Sequence, residues 1–205
     1  MDLVVVALTF AAIFVVELPD KTFIATLVLS TKFRPLLVWI GVGLAFAVQT
    51  GIAVGLGKAA SLLPTDLVRG GAAVLFLAGA LILFREARHD TGEGADTEES
   101  ETEAEYAERA GGPKQGWRAI VASFLVLFAA EWGDLSQLLT LSLVAKYDDP
   151  LSVFVGALAA LLAVSGLAVI VGRALLNHVR LSLLHAIGGG VCLLLAAITV
   201  WELLA

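Results

Sequence analysis

The sequence predicts an all-α membrane protein with six transmembrane helices, arranged as two inverted three-helix repeats. Three observations predict it. Of 205 residues, 59% are hydrophobic and only 16% are charged, and the mean hydropathy of +0.93 lies far above that of a soluble domain. Six apolar stretches approach the roughly 20 residues that a helix needs to cross a bilayer. The second half of the chain repeats the first, motif for motif.

The first stretch, Leu3 to Ser30, follows Met1-Asp2, which lacks a basic leader region. It runs straight into an acidic motif, so it is expected to stay in the mature chain. Pro35 opens the second stretch, Pro35 to Gly57, and Pro64 precedes the third, Leu67 to Phe84. The fourth is Ala119 to Ala145. Asp148-Asp149-Pro150 punctuates the chain before the fifth, Leu151 to Val171, and Leu181 to Leu204 forms the sixth. Cys192, the one cysteine, lies in that last stretch and reads as a small packing residue. Gly41, Gly43, Gly51, Gly55, Gly57 and the run Gly188-Gly189-Gly190 read as close helix packing. Trp39, Trp117 and Trp201 read as interfacial anchors. His89, His178 and His185 fall near helix ends and read as interfacial residues.

Residues 1–87 form the first three-helix repeat and 117–205 the second. Between them, 88–116 carries Asp90, Glu93, Asp96, Glu98, Glu99, Glu101, Glu103, Glu105 and Glu108. So acidic a segment, with little apolar content, is expected to be a disordered, solvated linker. It also holds much of the acidic excess, so the net charge of -6 says little about partners. A shift of 114 positions carries Glu17 onto Glu131, Asp20 onto Asp134, Thr22 onto Ser136 and Thr26 onto Thr140. One position more carries Pro35 onto Pro150, Gly41 onto Gly156, Thr50 onto Ser165, Gly51 onto Gly166, Gly57 onto Gly172 and Lys58 onto Arg173. Three spans per repeat is an odd number, so the halves insert with opposite orientation, a plan common in secondary transporters. Basic residues favour the cytoplasmic side. Lys32, Arg34, Arg85, Arg88, Arg109, Lys114, Arg118, Arg173 and Arg180 outnumber Lys58, Arg69 and Lys146 on the other side. The acidic linker is therefore placed in the cytoplasm and both termini outside.

Two acidic motifs carry the chemistry: Glu17-Leu18-Pro19-Asp20-Lys21-Thr22 and Glu131-Trp132-Gly133-Asp134-Leu135-Ser136. Each lies within an apolar stretch. An ionised residue at the centre of a membrane helix costs about 2.5–3.5 kcal/mol, so four carboxylates cost on the order of 10–14 kcal/mol before compensation. A bound divalent cation offsets part of that cost. Protons offset the rest, because desolvation raises carboxylate pKa values. A site able to hold either is the minimum equipment for metal/proton exchange. The acids of each motif are three residues apart and share a helix face, whereas Thr22 and Ser136 point elsewhere on an ideal helix. Pro19 and Gly133 are positioned to relax that geometry and to free backbone carbonyls as further ligands. The ligand set is all oxygen: carboxylates, the Thr22 and Ser136 hydroxyls and the Gln137 amide. Such a set suits Ca²⁺, Mn²⁺ or Mg²⁺ and argues against a dedicated Zn²⁺ or Cu⁺ site. The plainer reading, a structural salt-bridge cluster of Glu17, Asp20 and Lys21, predicts balanced charge, yet the second motif has Leu135 in place of Lys21. Gln49, Thr50 and Ser165 either hydrogen-bond across helices or line the pathway, and Trp132 either packs or gates.

With its two motifs, one per three-helix half, and its acidic linker, the chain resembles a family of cation/proton antiporters. That family includes the Golgi and chloroplast manganese/calcium transporters and bacterial manganese exporters, and it carries two copies of Glu-x-Gly-Asp-(Lys/Arg)-(Ser/Thr). Here Pro19 replaces the glycine of the first copy and Leu135 the basic residue of the second, which makes the site more negative than the family pattern. The resemblance implies that Glu17, Asp20, Glu131 and Asp134 are the cation ligands, and the residues themselves offer Thr22, Ser136 and Gln137 as supporting oxygens. It implies exchange of Mn²⁺ or Ca²⁺ for protons; the chain's size and the lack of a transit peptide favour the cytoplasmic membrane, where inward proton flow would drive the cation out. No bound cofactor, enzymatic activity or nucleic-acid partner is expected. The partners are the divalent ion and the lipid bilayer, and a homo-oligomer is compatible with the sequence. Alternatives are a passive divalent-cation channel, a small-solute exporter and a membrane-embedded hydrolase. Internal symmetry disfavours the last, which usually needs an asymmetric site.

Overall fold

The computed structural model describes residues 1–18, 21–89, 95–112, 114–176 and 181–204. The described residues are helical, with no strand among them. In chain order they form α1 (Leu3–Glu17), α2 (Lys21–Lys32), α3 (Pro35–Ala60), α4 (Thr65–His89), α5 (Ala95–Ala110), α6 (Trp117–Ala130), α7 (Leu135–Tyr147), α8 (Pro150–Leu176) and α9 (Leu181–Leu204). Local chemistry sets several boundaries. The Asp2 carboxylate accepts the Val4 N–H at 2.8 Å and caps α1. Pro35 occupies the first turn of α3, where its missing N–H costs nothing. Asp148 ends α7 in a left-handed conformation with φ of 49°.

α3, residues 66–85 of α4, and residues 150–170 of α8 are each long and apolar enough to cross a membrane. Two more spans result when α1 with α2, and α6 with α7, are each counted as one broken helix, bent by 71° and 74°. The apolar part of α9 within the fully described residues, Ala186–Trp201, is shorter. The lipid-facing side is plain on α3. Leu36, Ile40, Leu44, Val48, Ile52 and Leu56 recur every fourth residue and all are exposed, while Val38, Val42, Ala45, Phe46 and Gln49 are buried opposite them. The stretches from Leu3 to Ser30 and from Ala119 to Ala145 are thus each a broken pair rather than one straight helix, the second broken at Gly133, where a relaxed turn is expected. In the second pair Gly133 takes φ of 82°, a conformation that side chains resist, and Asp134 caps the restart at α7.

The helices of one half pack mainly on those of the other. α1 lies along α8, and its counterpart α6 lies along α3. α2 also packs on α8, and α7 on α3, while α3 meets α8 and α4 runs along α9. Two glycines mark the matching crossings. A Cβ at Gly41 would sit 2.4 Å from the Ile120 carbonyl oxygen and 2.9 Å from Ser123 Cβ. A Cβ at Gly156 would sit 2.6 Å from the Val6 carbonyl oxygen and 2.9 Å from Thr9 Cβ. Outside these crossings, Lys58 and Asp148 pair at 2.6 Å, which holds the Asp148 carboxyl below its usual range. The Asp149 carboxylate accepts from the Ser152 hydroxyl at 2.5 Å and from the Asp2 N–H at 3.2 Å, tying the start of α1 to that of α8.

The expected disorder of the linker does not hold over Ala95–Ala110, which is α5. Tyr106 and Ala110 are buried, and α5 packs on α2. Lys32 Nζ donates to the Ala107 carbonyl, and Glu105 pairs with Arg109 one turn on at 2.5 Å. Asp96, Glu98, Glu99, Glu101, Glu103, Glu105 and Glu108 thus sit on a helix supported by its neighbour, while Asp90 and Glu93 lie outside the described residues.

Gly41→Ala and Gly156→Ala should each destabilise the chain by about 1–3 kcal/mol, because the added methyl overpacks a helix crossing. Gly55→Ala, with no atom within 4 Å of the new Cβ, should be neutral or stabilising. Thermal unfolding in detergent micelles checks all three.

Candidate cation site

The site forms where both broken helices lose their regular backbone. Glu17 is the last residue of α1, and Glu131 immediately follows α6. Both are buried, at 0% and 4% exposure, and Asp134 is partly buried. One carboxylate oxygen from each of Glu17, Glu131 and Asp134 lies within 4.8 Å of the other two. At that separation two negative charges repel by about 3–4 kcal/mol at an effective dielectric of 20. Three ionised carboxylates in this space therefore require a cation or protons between them. Oxygens bound to Ca²⁺ at 2.3–2.6 Å lie up to roughly 5 Å from one another, so the cluster is of coordinating size.

Thr22 joins the cluster from the first turn of α2, donating its hydroxyl to Glu131 Oε1 at 2.5 Å. An unbroken helix would have turned Thr22 away from the acids. The bend between α1 and α2 makes this contact between halves. Asp134 also shapes the backbone. Its Oδ2 accepts the Ser136 N–H at 3.0 Å and the Ser136 hydroxyl at 3.2 Å, capping α7. Gln137 braces the break, donating to the Glu131 carbonyl at 2.7 Å and accepting the Gly133 N–H at 3.2 Å. Without such partners, backbone groups freed by the bend would lie unsatisfied inside the bundle. Asp20 and Pro19 lie outside the described residues. Lys21 is exposed at the start of α2, so the first motif's basic residue is not buried with Glu17.

Beside Glu131 lies a cavity of about 10 Å³, close to the volume that one water needs. Phe46, Gln49, Thr50, Ser136, Gln137, Thr140 and Leu161 complete its wall. Gln49 both lines the cavity and hydrogen-bonds across helices, donating to the Phe128 carbonyl at 3.0 Å. Thr50 lines it as well, whereas the Ser165 hydroxyl donates to Leu162 of its own helix at 3.2 Å. Thr140 donates to the Ser136 carbonyl at 2.7 Å. Phe46 and Leu161 carry no chemical signal in the sequence, but the 115-residue shift pairs them. Trp132 is 60% exposed and packs on Phe128, with ring centroids 5.2 Å apart.

Likeness to known proteins points the same way as this geometry. The family described as "Divalent cation/proton antiporter GDT1" matches residues 5–91 and 119–205. The two matched stretches are displaced by 114 positions, the shift that superposes the acidic motifs. A GDT1-like protein of Synechocystis sp. is 31% identical over 194 residues, covering 92% of this chain and 93% of its own length. The chloroplast protein PAM71 of Arabidopsis thaliana is 32% identical over 213 residues, covering 96% of this chain. This chain spans a little over half of that plant protein, 56% of its length. No solved structure matches. The family is one of transporters rather than enzymes, and both family matches contain one of the acidic motifs. By these matches the chain belongs to the divalent cation/proton antiporter family.

Proposed function

We propose that this chain is a six-span secondary transporter built of two inverted three-helix repeats, and that it exchanges Mn²⁺ or Ca²⁺ for protons. One observation carries the reading: buried carboxylates from both halves lie within 4.8 Å of one another at the breaks of two membrane helices. The cation binds among Glu17, Glu131 and Asp134, with Asp20 as the fourth acid. Thr22, Ser136 and Gln137 support the acids, by hydroxyl contact or by holding the backbone break. When the cation leaves, protons take its place, because ionised carboxylates so close together in a buried site repel strongly. The reciprocal packing of α1 on α8 and of α6 on α3 supports the repeat, with α9 as the sixth span. Residues 1–87 and 117–205 are the two halves, and 88–116 joins them on the cytoplasmic side of the cytoplasmic membrane. Both termini then lie outside. Inward proton flow drives the cation out.

Proteoliposomes holding a pH dye test the exchange. The wild-type chain should move Mn²⁺ or Ca²⁺ uphill along an imposed proton gradient. Glu17→Gln and Glu131→Gln should lower the rate at least about a hundredfold, the scale of losing a charged ligand in a buried site. Asp134→Asn separates that residue's ligand role from its capping role. Asparagine caps a helix as well as aspartate does, so stability should change by less than about 1 kcal/mol while exchange is lost. Cation flux indifferent to the pH gradient would instead identify a channel.

Topology is checked by cysteine labelling in a Cys192→Ala background. Cysteines at Ser61 and Gln115 should react from opposite sides of the membrane, Gln115 from the cytoplasm. Labelling of both from one side would sink the six-span arrangement.

A further inference from the structure

The two halves of the site are lined differently, although the repeat pairs their residues one to one. On the Glu131 side the cavity wall includes the amides of Gln49 and Gln137. The repeat pairs Gln49 with Val164 and Gln137 with Phe23. Those two apolar counterparts also come together, in a small buried cluster with Ala168 against which Phe14, Leu18 and Leu167 pack. The two amides of the Glu131 side, which line a polar cavity with room for one small body, thus have apolar counterparts in the repeat. Gln137 has both ends of its amide engaged across the helix break. Gln49 is only 3% exposed, and its nitrogen is fixed on the Phe128 carbonyl at 3.0 Å. Its oxygen is left to serve the cavity beside Glu131.

We propose that Gln49 is a specificity-determining residue of the transport site, supplying a neutral oxygen from α3 that sets which divalent cation is preferred; this rests on the proposed cation site. The reasoning is one of coordination number. Ca²⁺ takes six to eight oxygen ligands in flexible geometry, whereas Mg²⁺ demands six in a near-ideal octahedron and keeps several waters. Mn²⁺ shares the octahedral oxygen preference. Carboxylates supply charge to all three ions alike. A neutral amide oxygen adds a ligand without adding charge, and so favours the ion that wants more ligands. Val164 and Phe23, the counterparts of Gln49 and Gln137, carry no side-chain oxygen, so no symmetric amide mirrors this one.

Titration calorimetry of the purified full-length chain with Ca²⁺, Mn²⁺ and Mg²⁺ separately tests this. Gln49→Met, which fills similar volume without the amide, should weaken Ca²⁺ binding about tenfold, as loss of one charge-assisted contact predicts. Mn²⁺ and Mg²⁺ should weaken less. Gln49→Glu keeps an oxygen but loses the donor to Phe128, and should bind Ca²⁺ at least as well as the wild type. If Gln49 only holds the end of α6, both variants will weaken the three ions by a common factor, and the proposal falls. Unchanged affinities in Gln49→Met overturn it equally. Glu131→Gln serves as the separate check. Retained cation binding there would sink the site itself, whereas its loss alongside unaltered selectivity in Gln49→Met would sink only the role of Gln49.

Discussion

Glu17, Glu131 and Asp134 repel one another, and the arrangement around them answers to that repulsion. Their oxygens lie within 4.8 Å of one another inside a helical bundle. Two of the three are almost fully buried. Continuous helices would tie each acid to a fixed face of its own span. Here both acid-bearing spans bend by more than 70° at the motif, and the bends bring acids from opposite halves of the chain together. The same bends free backbone donors and acceptors, and nearby side chains take them up. Asp134 caps α7, Gln137 spans the gap from Gly133 to Glu131, and Gln49 serves the Phe128 carbonyl. Asp134 belongs both to the acid cluster and to the backbone support, so altering that acid also alters the support of the break.

Neither half completes the site alone. α1 and α2 rest on α8, while α6 and α7 rest on α3, so each broken span is held by the middle helix of the other half. The close crossings at Gly41 and Gly156 make this interlock tight at matching points. Displacing one half against the other would move Glu17 relative to Glu131 and Asp134 and change the spacing of the proposed cation ligands. Such coupling between helix position and ligand geometry is what a carrier requires and a rigid pore does not.

Much of this is legible in the sequence, for identifiable reasons. Spans such as α3 and α8 stand out because lipid imposes length and composition on them, and prolines mark their starts. The acids stand out because carboxylates are costly in such stretches. The repeat alone pairs Glu17 with Glu131 and Asp20 with Asp134. What stays hidden depends on bends and tertiary contacts. Pro19 and Gly133 signal a relaxed turn in the sequence, but not its angle, and ideal-helix geometry turns Thr22 away from the acid it touches. Gln49 stays between two readings because one side chain does both, bonding Phe128 and lining the cavity. α5 is obscured by its acidity, since its support comes from α2 and not from its own composition.

The symmetry of the scaffold and the asymmetry of its lining have different physical origins. Packing at Gly41 and Gly156 tolerates no side chain in either half, because both crossings bring backbone against backbone. That constraint is the same for both copies. Gln49 and Gln137 line the cavity beside Glu131, whereas their counterparts Val164 and Phe23 lie in an apolar cluster, and there the halves differ. A buried amide is tolerable only where its hydrogen bonds are met. On the Glu131 side the open turn at Gly133 and the end of α6 provide partners for both glutamines. The first motif has Pro19 where the second has Gly133, and proline has no N–H to offer such an amide. Phe23, the counterpart of Gln137, is consistent with that missing donor. The departure at position 19 thus gives a physical reason for glutamine at 137 and phenylalanine at 23.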